Sequence, residues 1–209
     1  CPTAVNNVET LCNVPLVMTR GADWFASLGP EKNGGPKLFC VSGHVKNPGV
    51  FEAPMKVTLK ELIYDYAGGP LDGHTIKAVI PGGSSVPILM PDQIDIPASF
   101  DDVQKAGSLL GSAAIMVLDD TTDMVWLAEN LLHFYRHEWC GKCTPCREGT
   151  DWLYRLLHRM TQGQATEKDI PLLQSVANQI NGKTLCAFGD AAATPVLTTL
   201  KWFKPEFEA

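Results

Sequence analysis

Apolar positions recur at helical spacing near both ends of the chain and alternate at strand spacing in its middle. Near the start, apolar side chains at helical spacing follow Asn6 and Asn7 and predict a helix, which Pro15 should bend or interrupt. A second short helical segment follows at 23–28. Residues 29–36 are rich in Gly and Pro, and we read them as a linker.

The middle of the chain predicts a small mixed domain. Strands at 37–45 and 50–52 flank an Asn-Pro-Gly turn and form a hairpin. A helix follows at 58–67, with Thr58 as N-cap and Glu61 completing a capping box. Further strands are predicted at 76–80, 86–89 and 114–118, separated by turns and by a polar stretch at 91–107. This order predicts an α+β fold with a β-grasp (ubiquitin-like) domain over residues 36–118.

The last part of the chain is helical. Apolar faces predict helices at 123–139 and 146–160, a third after a capping box at Thr166 and Asp169, and a fourth at 191–203. Gly182 should end the third helix. Four helices with short connections predict an all-α four-helix domain over 119–209, so residues 1–35 are left as a separate leading segment.

Composition restricts the possible functions. The 209 residues include 45% hydrophobic and 19% charged residues, as expected of a globular chain with a core. The net charge of −6 argues against binding to nucleic acid. No apolar run is long enough to insert into a membrane. The cysteines number seven, which is odd; four belong to the pattern described next, and Cys1, Cys12 and Cys40 are most simply free thiols in a reducing compartment.

Four of these cysteines form the strongest chemical signal. Cys140, Cys143 and Cys146 stand three residues apart, and Cys186 follows after a long insertion. Four thiolates can hold a [4Fe–4S] cluster or a zinc ion. A continuous C-x2-C-x2-C run closed by a remote cysteine favours the iron–sulfur cluster, because structural zinc sites usually use two separate pairs. Zinc and a set of inert core cysteines remain as alternatives.

The residues around these cysteines suit an anionic cofactor. With Thr144 as N-cap and Pro145 as the first helical residue, Cys146 falls in a first turn, where the helix dipole favours a thiolate. Lys142 and Arg147 add positive charge, and we expect both to raise the reduction potential of a cluster. A solvated loop face explains either residue alone equally well.

Other patterns are weaker. Residues 177–184 match a phosphate-binding loop only loosely and follow a helix rather than a strand. His133 and His137 lie at i, i+4 spacing without the glutamate of a metalloprotease motif, and surface histidines explain them better. Asn6 and Asn7 favour helix capping over phosphate contact. Segment 36–118 offers no visible cluster of titratable or metal-binding residues, so we expect it to be structural or interfacial and to bind no small ligand.

Several longer words of the sequence resemble one known family. VNNVETL, RGADWF, AGGP, PGGSS, CGKCTPCREGTDW, TLCAFGDAA and KWFKPEFEA are similar to words in the carboxy-terminal half of the FMN-carrying, NADH-oxidising subunit of respiratory complex I. Related diaphorase subunits of NAD-linked hydrogenases and formate dehydrogenases share these words. The resemblance runs over essentially the whole chain.

The resemblance implies a fold, cofactors and site residues. In the family a flavin domain precedes a β-grasp domain and a four-helix domain with one [4Fe–4S] cluster, so residues 1–35 would be the end of the flavin domain. Cys140, Cys143, Cys146 and Cys186 match the cluster ligands. Asn6 and Asn7 match residues that line the FMN site, which favours flavin contact over capping.

The resemblance also implies a mechanism and partners. Hydride passes from NADH to FMN, and the cluster takes the electrons one at a time. The partners implied are a small thioredoxin-fold [2Fe–2S] subunit and a large multi-cluster iron–sulfur subunit. The location implied is the cytoplasmic side of the inner membrane, or the mitochondrial matrix. Nothing in the chain matches the family's Gly-rich NADH and FMN segments, so we expect no NADH oxidation by this chain alone.

Overall fold

The computed structural model describes residues 1–208, which form a mixed α+β structure of four strands and eight helices. The strands are β1 (Pro36–Gly43), β2 (Gly49–Pro54), β3 (Ile76–Ile80) and β4 (Ala114–Asp119). The helices are α1 (Val8–Arg20), α2 (Ala22–Ser27), α3 (Leu59–Glu61, continued by a π-helix at Leu62–Tyr66), α4 (Phe100–Lys105), α5 (Met124–Glu138), α6 (Thr144–Thr161), α7 (Asp169–Ile180) and α8 (Phe188–Glu208).

Helix α1 forms as predicted but buries none of its residues. Pro15 lies inside it without interrupting it, which corrects one of the two effects expected of this proline. Glu9 fixes the helix to the sheet: its carboxylate accepts a hydrogen bond from the Leu38 N–H (2.7 Å) and lies 3.4 Å from the Lys37 ammonium. Because α1 buries none of its residues, its apolar side is open to solvent within residues 1–208.

The four strands form one sheet in the order β2-β1-β4-β3. β1 pairs antiparallel with β2 and parallel with β4, and β3 pairs antiparallel with β4. The predicted hairpin and the strand at 76–80 are confirmed. The strand predicted at 86–89 is wrong, because this segment makes only a single bridge between Val79 and Leu89. Pro87 cannot donate a ladder hydrogen bond, which weakens pairing there.

Two short helices pack beside the sheet. The capping box that begins α3 is confirmed, with Thr58 and Glu61 each bonding the other's backbone N–H. Helix α4 lies in the polar stretch 91–107, for which no element was predicted, and the side chain of Ser99 caps it by accepting from the Asp102 N–H. The residues of α4 are mostly polar and show no apolar helical pattern, so no helix was predicted there. The main core lies between sheet and helices and includes Phe39, Leu62 and Ile115.

Helices α5 to α8 pack around a second core that includes Leu132, Leu153 and Leu157. All four predicted helices are present, with corrected starts. Helix α6 begins at Thr144 with Cys143 at the N-cap, one residue earlier than expected, and α8 begins at Phe188 instead of residue 191. Asp123 rather than Thr122 caps α5.

A third apolar cluster joins the sheet to these helices. It brings Ile80 and Ile88 against Met124 and Phe203. In the same region the Thr198 hydroxyl accepts a buried hydrogen bond from the Ile88 N–H (3.0 Å). The helices that carry the cysteines are thus held against one side of the sheet. Within residues 1–208, no helix combines the length and apolar character needed to cross a bilayer.

Candidate metal centre

The four predicted cysteine ligands converge at one end of the helical region. Cys140 lies in the loop after α5, Cys143 and Cys146 lie at the start of α6, and Cys186 lies in the loop between α7 and α8. All four line one cavity of about 130 Å³. Cys146 is buried, Cys143 is half-buried, and the other two are exposed.

Hydrogen bonds hold the two cysteine loops together. The Leu185 N–H donates to the Cys143 sulfur (3.4 Å), which links the α7–α8 loop to the start of α6. The Thr184 hydroxyl donates to the Cys186 carbonyl (2.8 Å) and shapes the turn beside that ligand. Gly189 allows this turn, because a Cβ there would stand 2.4 Å from the Thr184 hydroxyl oxygen. The sequence analysis did not assign Thr184 or Gly189 a role, although both lie in the word TLCAFGDAA.

The electrostatics of the pocket disfavour four thiolates that have no positive charge among them. Burial raises the pKa of the Cys146 thiol, and the negative charges of Cys143, Cys186 and Cys140 raise it further. Four neighbouring thiolates repel one another unless positive charge lies between them. The amino terminus of α6 contributes part of that charge, because Cys146 occupies its first turn.

The chemistry of the donor set bears on which group fits the pocket. Four thiolates can hold either one zinc ion or a [4Fe–4S] cluster. All four cysteines line the same cavity, and a continuous C-x2-C-x2-C run closed by the remote Cys186 is the pattern that favours the cluster.

Arg147 has a different environment from the one expected. Its guanidinium donates to the Gly141 carbonyl (2.8 Å) and lies 3.4 Å from the Thr144 hydroxyl and 2.9 Å from the Glu148 carboxylate. It therefore braces the cysteine loop, and Glu148 offsets part of its charge. Lys142 lines the same cavity and is exposed.

An aromatic pair connects the pocket to the sheet. Phe188, which lines the cysteine cavity, packs edge-on against Tyr135 of α5 with ring centroids 5.5 Å apart. The Tyr135 hydroxyl lies 2.8 Å from the Ser84 hydroxyl, in the turn after β3. Burial raises the pKa of Tyr135, so its hydroxyl is neutral and can hydrogen-bond. The sequence analysis missed this connection because its members are far apart in the chain.

Asn6 and Asn7 lie far from the cysteines in the chain, beside α1. Asn7 caps that helix, its side-chain oxygen accepting from the Thr10 N–H (3.0 Å). Asn6 and Asn7 are both exposed, and Asn7 also lines an open cavity of about 600 Å³ between α1 and the sheet. The capping role drawn from spacing is thus present, and a ligand contact by these residues stays a prediction.

The remaining sequence patterns take no part in the pocket. His133 and His137 are exposed on α5, and within residues 1–208 neither belongs to a cluster able to hold a metal. Segment 177–184 spans the end of α7 and the following loop. A group with donor atoms close enough to hold a metal ion does occur elsewhere: His74, Asp119 and Asp120 bring three donor atoms within 4.8 Å of one another. His74 lies inside segment 36–118, where no such group was expected, and the pairing of β3 with β4 brings it to the adjacent residues Asp119 and Asp120.

Comparisons with known proteins find an iron–sulfur family over the residues that carry the four cysteines. A family model described as the NADH-ubiquinone oxidoreductase-F iron-sulfur binding region matches residues 126–209, and an SLBB domain model matches residues 37–117. The first match gives the class of residues 126–209: an iron–sulfur binding region of the NADH-ubiquinone oxidoreductase-F type.

Relatives and solved structures extend the match to the whole chain. The NADH-quinone oxidoreductase F 2 subunit of Rhizobium meliloti (strain 1021) is 48% identical over 208 residues, covering 100% of this chain and 49% of the relative. The corresponding F subunit of Mycobacterium tuberculosis (strain ATCC 25618 / H37Rv) is 47% identical, covering 100% of this chain and 47% of the relative. The crystal structure of an air-oxidised NAD⁺-reducing [NiFe]-hydrogenase matches with a TM-score of 0.86 at 36% identity, over 99% of this chain and 35% of that one.

The chain belongs to the family of the NADH-quinone oxidoreductase F subunits and their counterparts in NAD-linked hydrogenases. It spans about half the length of the curated relatives it matches.

Proposed function

We propose that this chain takes electrons from NADH-reduced FMN and passes them on through one [4Fe–4S] cluster, in the NADH-dehydrogenase module of a complex I type enzyme. The observation that carries this proposal is the convergence of Cys140, Cys143, Cys146 and Cys186 on one cavity, inside the region matched by the iron–sulfur model. In the proposal these four residues are the cluster ligands. Their C-x2-C-x2-C spacing in the sequence, within the region matched by the iron–sulfur model, argues against a zinc-stapled interaction module.

The bound cluster would supply one-electron transfer, and the protein residues would position and tune it. Cys146 would bind the cluster from a buried first turn, where backbone N–H groups favour a negatively charged sulfur. Phe188 and Tyr135 would shield one side from water. Arg147 would fix the loop that carries Cys140 and Cys143 through the Gly141 carbonyl.

We divide the chain into three parts. Residues 1–35 end a flavin domain, 36–118 form a β-grasp domain, and 119–209 form a four-helix iron–sulfur domain. The sheet order β2-β1-β4-β3, with β1 and β4 parallel at its centre, supports the β-grasp assignment. The separate core of α5 to α8 supports the four-helix assignment.

FMN would approach the segment around α1. Asn6 and Asn7 would contact it, and the exposed position of Asn7 at a cavity of about 600 Å³ supports this placement. The apolar residues of α1 that face solvent, such as Val8, Leu11 and Met18, are consistent with a covering flavin domain. NAD(H) would be the substrate of the full-length protein.

The partners in this proposal are a small thioredoxin-fold [2Fe–2S] subunit and a large multi-cluster subunit. The assembly would lie on the cytoplasmic side of the inner membrane, or in the mitochondrial matrix. A second candidate is the same role in an NAD-linked hydrogenase or formate dehydrogenase. The structural match to the NAD⁺-reducing hydrogenase at a TM-score of 0.86 favours its hydrogenase form.

Electron delivery to the chain tests the proposal. The chain, purified anaerobically with its cluster assembled, is mixed with chemically reduced FMN and frozen for electron paramagnetic resonance. We expect the signal of a reduced [4Fe–4S] cluster in the wild type and none in Cys146→Ser. With NADH and oxidised FMN we expect no turnover by this chain alone. A wild-type chain that stays silent with reduced FMN although its iron and sulfide are present would contradict the proposal.

A further inference from the structure

A buried carboxylate lies between two histidines where the sheet meets the first helix of the iron–sulfur region. Asp119 is the last residue of β4, and its side chain is 1% exposed. β1 runs parallel to β4, so His44, one residue beyond β1, arrives at the same edge. β3 runs antiparallel and pairs Ile76 with Asp119, so His74 just before β3 arrives there too. The strand order brings together residues that are far apart in the sequence.

The two oxygens of Asp119 have different surroundings. Oδ1 accepts hydrogen bonds from the Thr121 N–H (3.1 Å) and hydroxyl (2.6 Å), and lies 2.9 Å from His44 Nδ1. Oδ2 makes no hydrogen bond to any residue that the structure describes, and faces His74 Nδ1 at 3.9 Å. That distance is too long for a direct hydrogen bond. One oxygen of a buried carboxylate is thus aimed across a gap at an imidazole.

Asp120 completes the arrangement from the solvent side. Its Oδ1 lies 3.2 Å from His74 Nδ1 and accepts from the Thr75 N–H (2.9 Å). One donor atom from each of His74, Asp119 and Asp120 lies within 4.8 Å of the others. Nitrogen and oxygen ligands bound to zinc at ~2.0–2.2 Å stand roughly 3–3.6 Å apart. The gaps of 3.2 and 3.9 Å therefore need little closure to share one cation.

The charges suit a cation as well. Burial alone would raise the pKa of Asp119, but the Thr121 hydrogen bonds and the neighbouring His44 and His74 together lower it below its ordinary value. A backbone hydrogen bond from Thr75 lowers the pKa of Asp120. Both carboxylates are therefore ionised at neutral pH. The ammonium of the nearby Lys77 is engaged elsewhere, 2.7 Å from the Glu206 carboxylate.

We propose that His74, Asp119 and Asp120 form a binding site for a divalent metal of the zinc type. His44 Nδ1 lies 2.9 Å from the other oxygen of Asp119 and accepts a hydrogen bond from the Asp119 backbone N–H (3.2 Å). An imidazole with two carboxylates favours zinc over magnesium, which prefers oxygen ligands alone. His74 and Asp120 are partly exposed, at 36% and 51%, so the site is open to entry and to a water as fourth ligand.

The site would act as a clip at the join between the sheet and α5. It ties the start of β3 to the end of β4, four residues before Asp123 caps α5. A metal that binds only the folded chain raises its free energy of unfolding by RT ln(1 + [L]/Kd), where [L] is the free metal concentration and Kd the dissociation constant. This role is independent of the cysteine centre, which uses sulfur donors at the other end of α5.

Zinc titration of the cluster-loaded chain tests the proposal. Isothermal titration calorimetry with zinc ions is compared for the wild type, His74→Ala and Asp120→Asn, with His133→Ala as the matched control. Zinc taken up by cysteines is common to all four proteins. We expect one site that is weakened at least about tenfold in His74→Ala and Asp120→Asn and unchanged in His133→Ala. Zinc should also raise the melting temperature of the wild type more than that of His74→Ala.

Both test residues are partly exposed and lie outside the cores, so the variants should fold, which circular dichroism checks. Equal zinc binding by the wild type and His74→Ala would overturn the proposal. Absence of zinc binding by the wild type would do the same. In either case His44 and His74 would act only as ion-pair partners of Asp119.

Discussion

The cysteine pocket and the His74–Asp119–Asp120 cluster are two candidate metal centres built in opposite ways. The first takes three of its four donors from one continuous run, on loops at the ends of helices. The second joins the adjacent pair Asp119 and Asp120, at the end of β4, to His74, which only the pairing of β3 with β4 brings near them. The first centre can therefore be found from spacing, whereas the second cannot be found without the fold. Four features contribute separately to the cysteine pocket: its ligands, the geometry of its loops, the nearby charges, and the Tyr135–Ser84 contact with the sheet. Substitutions can distinguish these features, from the largest expected effect to the smallest.

The largest effect is expected from removing a cysteine ligand. Cys146→Ser should abolish most of the bound iron and sulfide, because the buried first-turn sulfur cannot be replaced by a neighbour. Cys40→Ser is the matched control, since Cys40 is an exposed cysteine on β1. Iron and sulfide analysis and visible absorption measure the result. A Cys146→Ser variant that keeps its full cluster would remove this residue from the ligand set.

The next effect concerns the turn that carries Cys186. A Cβ at position 189 would stand 2.4 Å from the Thr184 hydroxyl oxygen and 2.6 Å from its methyl carbon. Gly189→Ala should therefore displace Thr184, lower stability by about 1–3 kcal/mol and make the cluster more labile. Chemical denaturation and the rate of iron loss to a chelator measure both effects.

Gly163→Ala is the control for this prediction. Gly163 has a positive φ, but a Cβ there meets nothing within 4 Å. This variant should lose some stability through backbone strain and keep its rate of iron loss. If both variants lose iron at the same rate, the contact with Thr184 does not hold the Cys186 turn in place.

A smaller effect separates the charge of Arg147 from its hydrogen bonds. Arg147→Gln removes both, and should speed iron loss and lower the midpoint potential by at most tens of millivolts, where about 59 mV corresponds to a factor of ten. Arg147→Lys keeps the charge but cannot reproduce the bond to the Gly141 carbonyl with the same geometry. It should speed iron loss with little change in potential.

Redox titration of these variants, with Lys142→Gln as a companion, measures their midpoint potentials, and the comparison of Arg147→Gln with Arg147→Lys isolates the effect of the charge. Lys142→Gln should shift the potential less than Arg147→Gln, because a lysine ammonium is more mobile and more strongly hydrated. A full shift in Arg147→Lys would show that loop geometry, and not charge, sets the potential.

The smallest effect is expected from the support between pocket and sheet. Tyr135→Phe keeps the edge-on contact with Phe188 and removes the hydrogen bond to Ser84. It should cost about 1 kcal/mol of stability and leave iron content unchanged. Ser84→Ala removes the same bond from the other side and should cost a similar amount. A loss of iron in Tyr135→Phe would give this hydroxyl a direct role at the pocket.

Local signals predicted most of the secondary structure. The capping box at Thr58 fixes the start of α3 because its two hydrogen bonds involve neighbouring residues. The helical face of α1 was equally clear, yet α1 buries nothing within residues 1–208, since burial depends on a packing partner. The strand predicted at 86–89 was wrong because an apolar run does not specify a pairing partner.

The candidate sites also combine features that local sequence predicts with features that depend on contacts between distant segments. Spacing alone pointed to the cysteines, because their ligand geometry is encoded within a few residues. The roles of Thr184, Gly189 and the Ser84–Tyr135 pair depend on contacts between distant segments. The sequence words shared with the family include Ser84, Thr184 and Gly189, but these words do not show which residues are in contact. Asp119 and its histidines carried no signal at all, since their proximity follows from the strand order.

The most direct test of the central claim is the metal and sulfide content of the wild-type chain after anaerobic purification, combined with Mössbauer spectroscopy. The account predicts about four irons and about four sulfides per chain, with the spectrum of one [4Fe–4S] cluster. One zinc at the cysteines with no sulfide and no visible absorption would contradict it.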